Sequence, residues 1–209
     1  MGKNKQKDYT AKYTRIEKIG EGGNASVYLC NSEENEISKV ALKELNFRTT
    51  EKKARFIDEI NIMTENCELT DGIIPILDSS KDSFWYTMPI AKPIIDHIKS
   101  EYSDIVQIVK GVIRLTETLS FLHNKEISHR DIKPSNIYFY NDKYYLGDFG
   151  LVDFPDNSND LTRSDRGLGA VFTIAPEMKR NPKDADGKKA DVFSLAKTLW
   201  MMLTLDEKG

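Results

Sequence analysis

Cysteine is nearly absent from this chain of 209 residues, with Cys30 and Cys67 the only two. Neither stands at a metal-ligand spacing. That excludes a disulfide framework and a thiolate metal site, and it points to a reduced, cytoplasmic setting. Long apolar runs are also missing. Nothing approaches the ~20 residues of a membrane-spanning helix, and no apolar signal-peptide core follows the start. The opening Met1-Gly2 is followed by Gln6 where a myristoylation signal needs Ser or Thr. Neither sign of charge dominates: 30 Lys and Arg face 33 Asp and Glu, for a net charge of −3 and a pI near 5.7. The total therefore gives no reason to expect nucleic acid as a partner. Internal repeats and low-complexity tracts are lacking. Of the three histidines, His97 and His123 have no partner visible in the sequence and read as surface residues.

What is present is a globular composition, 39% hydrophobic and 30% charged, long enough for one domain or two small lobes around a sizeable core. Residues 1–12 are polar and basic at the outset and read as a disordered tail. Tyr13–Gly20, Ser26–Cys30 and Lys39–Leu45 read as strands, with the glycine-rich turn Gly20-Glu-Gly-Gly-Asn-Ala25 between the first two. Such a turn leaves backbone N–H groups facing an anion, although many hairpins carry similar glycines. Glu51–Asn66 has helical spacing, with Phe56, Ile60 and Met63 on one face and Glu59 at its edge. Taken alone, Glu59 reads as half of a surface ion pair. Ile73–Leu77 and Phe84–Ile90 read as two further strands separated by the polar stretch Asp78–Ser83. Beyond them Ile105, Ile108, Val112, Leu115, Leu119 and Leu122 mark a long amphipathic helix, with Ser103 or Asp104 as its N-cap. Ile137–Tyr140 and Lys143–Leu146 form a hairpin about the turn Asn141-Asp142. Residues 151–169 show no periodicity, and a loop of that length inside a domain is usually functional. Residues 191–203 read as a helix apolar on every side, hence a buried one.

The densest chemistry lies in Ser128–Ile137, S-H-R-D-I-K-P-S-N-I. Pro134 disfavours helix at Lys133, so the segment is a shaped loop. Asp131 can hold a hydroxyl nucleophile, Lys133 a phosphate oxygen and Asn136 a metal ion. Gly147-Asp148-Phe149-Gly150 follows the hairpin at once.

These segments resemble the eukaryotic-type Ser/Thr protein kinases over nearly the whole chain, from Tyr13 to Leu205. The motifs stand in the family's order: G-E-G-G-N-A-S-V at Gly20–Val27, V-A-L-K at Val40–Lys43, H-R-D-I-K-P-S-N at His129–Asn136, D-F-G at Asp148–Gly150 and A-P-E at Ala175–Glu177. The resemblance implies an α+β bilobal fold: an N-lobe of antiparallel sheet plus one helix over 13–88, and a mostly helical, incomplete C-lobe over 89–209. It implies a protein-serine/threonine kinase that uses ATP with Mg²⁺ or Mn²⁺ and acts on a protein hydroxyl. Lys43 is then expected on the α- and β-phosphates, held by Glu59 with Asp58 as runner-up. Asp131 orients the acceptor hydroxyl and takes its proton, Lys133 steadies the γ-phosphate, and Asn136 and Asp148 hold the metal. Gly20, Gly22, Gly23 and Ala25 form the phosphate loop. Val27 and Ala41 cover one face of the base and Tyr138 the other, with Met88 as gatekeeper and Ile90 and Ala91 in the hinge. Met63, Ile76, His129 and Phe149 form the regulatory spine, anchored by Asp191.

Three departures bear on activity. Ala25 replaces the loop's third glycine. Ala170 stands where the family has a threonine linking the catalytic aspartate and lysine, and Thr173 where it has an aromatic. The family also continues with helices beyond the one at 191–203. A chain truncated there is expected to leave Leu195, Leu199, Trp200, Met202 and Leu203 without cover, a loss on the order of 10 kcal/mol at ~1.5–3 kcal/mol each. That would favour self-association through this helix. Arg130 is expected to pair with a phosphorylated loop, with Thr162 and Ser164 ranked above Ser158 and Thr173 as acceptors. The rival reading is a catalytically impaired nucleotide-binding fragment that works as a scaffold.

Overall fold

A computed structural model describes residues 8–33, 37–46, 49–101, 104–152, 172–181 and 184–206. Strands β1 (Tyr13–Glu21), β2 (Ala25–Ser32), β3 (Lys39–Leu45), β4 (Asp78–Ser80) and β5 (Trp85–Met88) build an antiparallel sheet in the order β1-β2-β3-β5-β4. Helix α1 (Thr50–Asn66) follows β3 and buries Phe56, Ile60 and Met63, the face its spacing predicts. Its first turn is capped by Thr49, whose hydroxyl accepts from the Lys52 N–H at 3.3 Å.

Among the described residues the second half is helical apart from one small sheet. The two-residue strand β6 (Lys92–Pro93) and β7 (Ile137–Tyr140) with β8 (Lys143–Leu146) form that sheet. At its turn Asn141 and Asp142 adopt φ of 44° and 59°, the left-handed pair that a tight two-residue hairpin requires. Helix α3 (Ile105–Asn124) starts at Asp104, which makes a full capping box with Gln107. It buries Ile108, Val112, Leu115, Leu119 and Leu122. Helix α5 (Gly187–Thr204) is capped by Asp186 and packs against α3. Among the described residues no helix is long and apolar enough to cross a membrane.

Several expectations are corrected. The tail assigned to residues 1–12 is ordered from Asp8, because Asp8–Ala11 form a single helical turn and Tyr9 is buried. Tyr9 packs edge-on against Trp85 and its hydroxyl donates to Glu44 at 3.3 Å. The strand expected at Ile73–Leu77 forms only one bridge, Ile73 to Leu146. Pro75 has no N–H to continue a ladder, and the strand proper is Asp78–Ser80, in the stretch read as a loop. Helices α2 (Ile94–Glu101) and α4 (Pro176–Arg180) were not foreseen. His97 is not a surface residue: α2 buries it, stacked on Phe139 with ring centroids 3.6 Å apart. The last helix begins four residues before 191, and it is not buried on every side. Leu195 and Met202 are covered and Leu199 packs partly against the core, while Val192, Phe193, Trp200 and Leu203 are exposed. The loss of cover therefore falls on part of the expected set.

Candidate active site

The sheet and α1 bring the first charges together. In the ladder Lys43 on β3 lies between Val27 on β2 and Tyr86 on β5. Lys43 Nζ meets Glu59 Oε1 at 2.6 Å and Asp148 Oδ1 at 3.1 Å. Glu59, not Asp58, is thus the partner of Lys43. Asp58 is half-buried, and burial alone pushes its carboxyl up. A third group completes the arrangement: the Tyr86 hydroxyl donates to the same Glu59 oxygen at 2.9 Å. Burial pushes the Glu59 carboxyl up against the pull of Lys43. Burial alone would lower Lys43, but the carboxylates of Asp148 and Glu59 outweigh it and hold the ammonium well above its ordinary value. The Lys43 ammonium in turn keeps Asp148 below its ordinary value, against burial.

The loop at 128–137 supplies a second cluster. Asp131 Oδ2 accepts from Lys133 Nζ at 2.8 Å and from Asn136 Nδ2 at 3.0 Å. The same Asn136 nitrogen donates to the Asp131 backbone carbonyl at 2.8 Å. Both contacts use the amide nitrogen, which leaves the amide carbonyl oxygen pointing elsewhere. Burial raises the Asp131 carboxyl, Lys133 pulls it down, and Asp148 adds to the rise. The two clusters thus lie within electrostatic reach of each other.

A buried carboxylate holds the loop from behind. Asp191 on α5 is fully buried and accepts from the His129 N–H at 2.8 Å and the Arg130 N–H at 2.7 Å. His123 Nε2 lies 2.9 Å from Asp191 Oδ2, so His123 has a partner and is not an isolated surface residue. Arg130 and Asp148 both adopt φ of 62°. Such positions are strained for residues other than glycine and cluster where surrounding structure over-determines the backbone. Phe149 is fully buried with its ring 4.6 Å from that of His129. Met63 is fully buried in the same core, and Ile76 is partly buried against it.

The residues expected around a nucleotide line the inner sheet and the adjoining hairpin. The Gly22 N–H donates to the Ala25 carbonyl at 2.9 Å and closes the β1–β2 turn. Gly20 pairs with Val27 across the ladder, and Gly23 sits in open space at the bend. Ala25 belongs to β2, opposite Leu45, and is buried in the core. A methyl group there packs, which accounts for the missing third glycine. Ala41 is buried opposite Met88; Ile90 is exposed and Ala91 half-buried just beyond β5. Tyr138 is half-buried on β7, where burial pushes its hydroxyl up to about 12 and the charges of Asp148, Lys43 and Glu59 act on it. Ala170, Ser158, Thr162 and Ser164 lie outside the described residues. Thr173 lies within them and is buried.

The protein kinase domain family matches residues 13–207. The chain belongs to the protein kinase family. Serine/threonine-protein kinase PAK 1 of Mus musculus is 32% identical over 195 residues, which is 90% of this chain and 34% of that protein. Serine/threonine-protein kinase pak-1 of Caenorhabditis elegans is 32% identical over 189 residues, 88% of this chain and 32% of its own length. Serine/threonine-protein kinase STE20 of Candida glabrata is 30% identical over 196 residues, 90% of this chain and 20% of that protein. The kinase chain thus spans between about a fifth and about a third of the length of these relatives.

Sequence reasoning missed Tyr86 and His123. Tyr86 was legible only through the register that sets it beside Lys43. His123 ends the α3 repeat, and no periodicity names its partner 68 residues away.

Proposed function

We propose that this kinase chain transfers the γ-phosphoryl group of ATP to serine or threonine hydroxyls of proteins. The observation that carries the reading is Lys43 held between Glu59 and Asp148. An ammonium fixed by two carboxylates has little freedom left to lose when it meets a phosphate, so the positioning is done in advance. Asp131 takes the proton of the acceptor hydroxyl. Its burial raises its affinity for that proton, and Lys133 and Asn136 fix its orientation. Lys133 is in place to share charge between Asp131 and the transferring group.

The donor set suits a hard cation. Asp148 offers a carboxylate, Asn136 an amide carbonyl, and among the described residues no cluster of three or more His, Cys, Asp or Glu competes for a metal. Two protein ligands are what Mg²⁺ takes when substrate phosphates and water fill the remaining positions. Bound there, the ion would neutralise charge on the phosphates. Val27, Ala41, Met88 and Tyr138 enclose the base, with backbone groups of the 89–91 segment as its hydrogen-bonding edge. The two free cysteines fit a cytoplasmic setting.

Turnover of ATP with a Ser/Thr-rich protein substrate, measured beside an Asp148→Ala variant, tests the proposal. The expected result is phosphate on Ser or Thr with the native chain and a rate at least about a hundred-fold lower with the variant, the scale seen when a reacting group is misplaced. Equal rates reject catalysis by this site.

A further inference from the structure

Gly147 lies between the two residues proposed to hold the metal. Its N–H donates to the Asn136 backbone carbonyl at 3.0 Å, and its own carbonyl carbon is bonded to the Asp148 nitrogen. That carbonyl also lies 3.3 Å from His129 Nε2. One residue earlier, Leu146 donates to the Gly72 carbonyl at 2.7 Å and accepts from the Ile74 N–H at 2.9 Å. The backbone here is tied from several sides, so any shift at 147 is passed on to its neighbours.

A side chain at 147 has no room. A Cβ there would lie 2.9 Å from Tyr138 Cε2, 3.3 Å from Tyr138 Cδ2 and 3.2 Å from Ile74 Cγ2. The contact below 3 Å is with the edge of a rigid ring rather than a flexible chain end. Gly147 shows no positive φ, so backbone conformation does not demand glycine. Space does, and Tyr138 is what fills the space. Tyr138 is itself held on β7, opposite Pro93 on one side and Tyr145 on the other.

We propose that Tyr138 and Gly147 are a size-matched pair of positioning residues, in which the tyrosine ring takes the volume of the missing side chain and sets the spacing between Asn136 and Asp148. The pair thereby sets the grip on the nucleotide's divalent cation. This rests on the kinase reading for its metal. A larger residue at 147 has two ways to fit. Either the Tyr138 ring leaves the nucleotide wall, or the Gly147 backbone shifts and carries Asp148 away from Asn136. Shortening Tyr138 removes the one contact below 3 Å and leaves the milder one with Ile74, so the two positions are coupled: most of the penalty at 147 exists only while the ring is present.

The test compares the native chain with Gly147→Ala, Tyr138→Leu and the double variant. Mn²⁺ affinity is read by electron paramagnetic resonance with a saturating non-hydrolysable ATP analogue, and each variant's melting temperature is measured. Gly147→Ala is expected to weaken Mn²⁺ roughly ten-fold or more, the usual cost of disturbing the groups that orient metal ligands. The double variant is expected within about three-fold of Tyr138→Leu, a non-additivity of the kind contacting residues show. Native affinity in Gly147→Ala overturns the proposal, and so does a double variant as weak as Gly147→Ala. Should Gly147→Ala fail to fold, a double variant that folds supports the pair and one that also fails overturns it. If the native chain binds no Mn²⁺-nucleotide, the kinase reading falls. The melting temperatures of the four proteins then decide the pairing on their own, with additive losses against it.

Discussion

Asp191 and Arg130, 61 residues apart in sequence, are joined by a 2.7 Å hydrogen bond from a backbone N–H to a carboxylate that sees no solvent. The same carboxylate binds the N–H of His129. Together these bonds hold Arg130 at a φ of 62°. Asp191→Ala strands two N–H donors, that of His129 buried and that of Arg130 partly so, and a buried donor costs about 1–3 kcal/mol when left unpaired. The expected loss of unfolding free energy is roughly 3–5 kcal/mol, as for other broken buried charge contacts. Asp191→Asn is expected to recover less than half of it, because one carboxylate oxygen becomes a donor facing a donor. Urea denaturation gives both numbers. A loss below about 1 kcal/mol in the alanine variant would mean the loop holds itself.

Gly111 sets two effects against each other. It sits in the middle of α3, where replacing glycine by alanine ordinarily stabilises a helix by about 1 kcal/mol. Here a Cβ would lie 2.2 Å from two atoms of the Tyr144 ring. Overpacking of a tight contact costs about 1–3 kcal/mol, and more when a ring cannot move. Packing is expected to win, so Gly111→Ala lowers the thermal midpoint. In a Tyr144→Leu background the same change is expected to raise it. A rise in the native background would show that α3 and β8 can part without cost.

Tyr9 tests the ordered start of the chain. It is buried between Trp85 and Arg15, with a hydroxyl bond to Glu44. Tyr9→Ala is expected to cost about 3–5 kcal/mol, as for other buried aromatics. Tyr9→Phe, which removes only the hydroxyl, is expected to cost about 1 kcal/mol. Urea midpoints of the two variants matching the native value would return this turn to the status of a tail.

Most of the fold was legible because periodicity is local. The spacing of Ile108, Val112, Leu115, Leu119 and Leu122 names a helix and its buried face without any partner, and all five are buried. Lys43, Glu59 and Asp148 were named through the resemblance to the protein kinases, since spacing alone made Glu59 half of a surface ion pair, and the structure sets Lys43 within 3.1 Å of both carboxylates. What failed depends on distant partners. The Asp78–Ser80 strand is polar and short, and exists because β5 offers it an edge. His97 and His123 are placed by Phe139 and Asp191. The final helix has an all-round apolar sequence but contacts the rest of the described chain on one side only, so burial followed its neighbours and not its composition.

The acid limb of the activity profile reports on Asp131. In the proposed reaction Asp131 must be ionised to accept the hydroxyl proton, so activity is present above its pKa and lost as pH falls through it. Burial raises that pKa above the ordinary aspartate value of 3.8, while Lys133, hydrogen-bonded at 2.8 Å, pulls it back down. Lys133→Met removes the pull and leaves the burial. The carboxyl therefore binds its proton more tightly, and the acid limb of kcat/KM moves to higher pH than in the native chain. At a pH well above both limbs the variant retains whatever loss comes from missing charge at the transferring group. That component does not depend on pH, so the full profile separates the two effects. A kcat/KM profile for Lys133→Met with its acid limb unmoved, or moved to lower pH, would mean that the group titrating there is not Asp131.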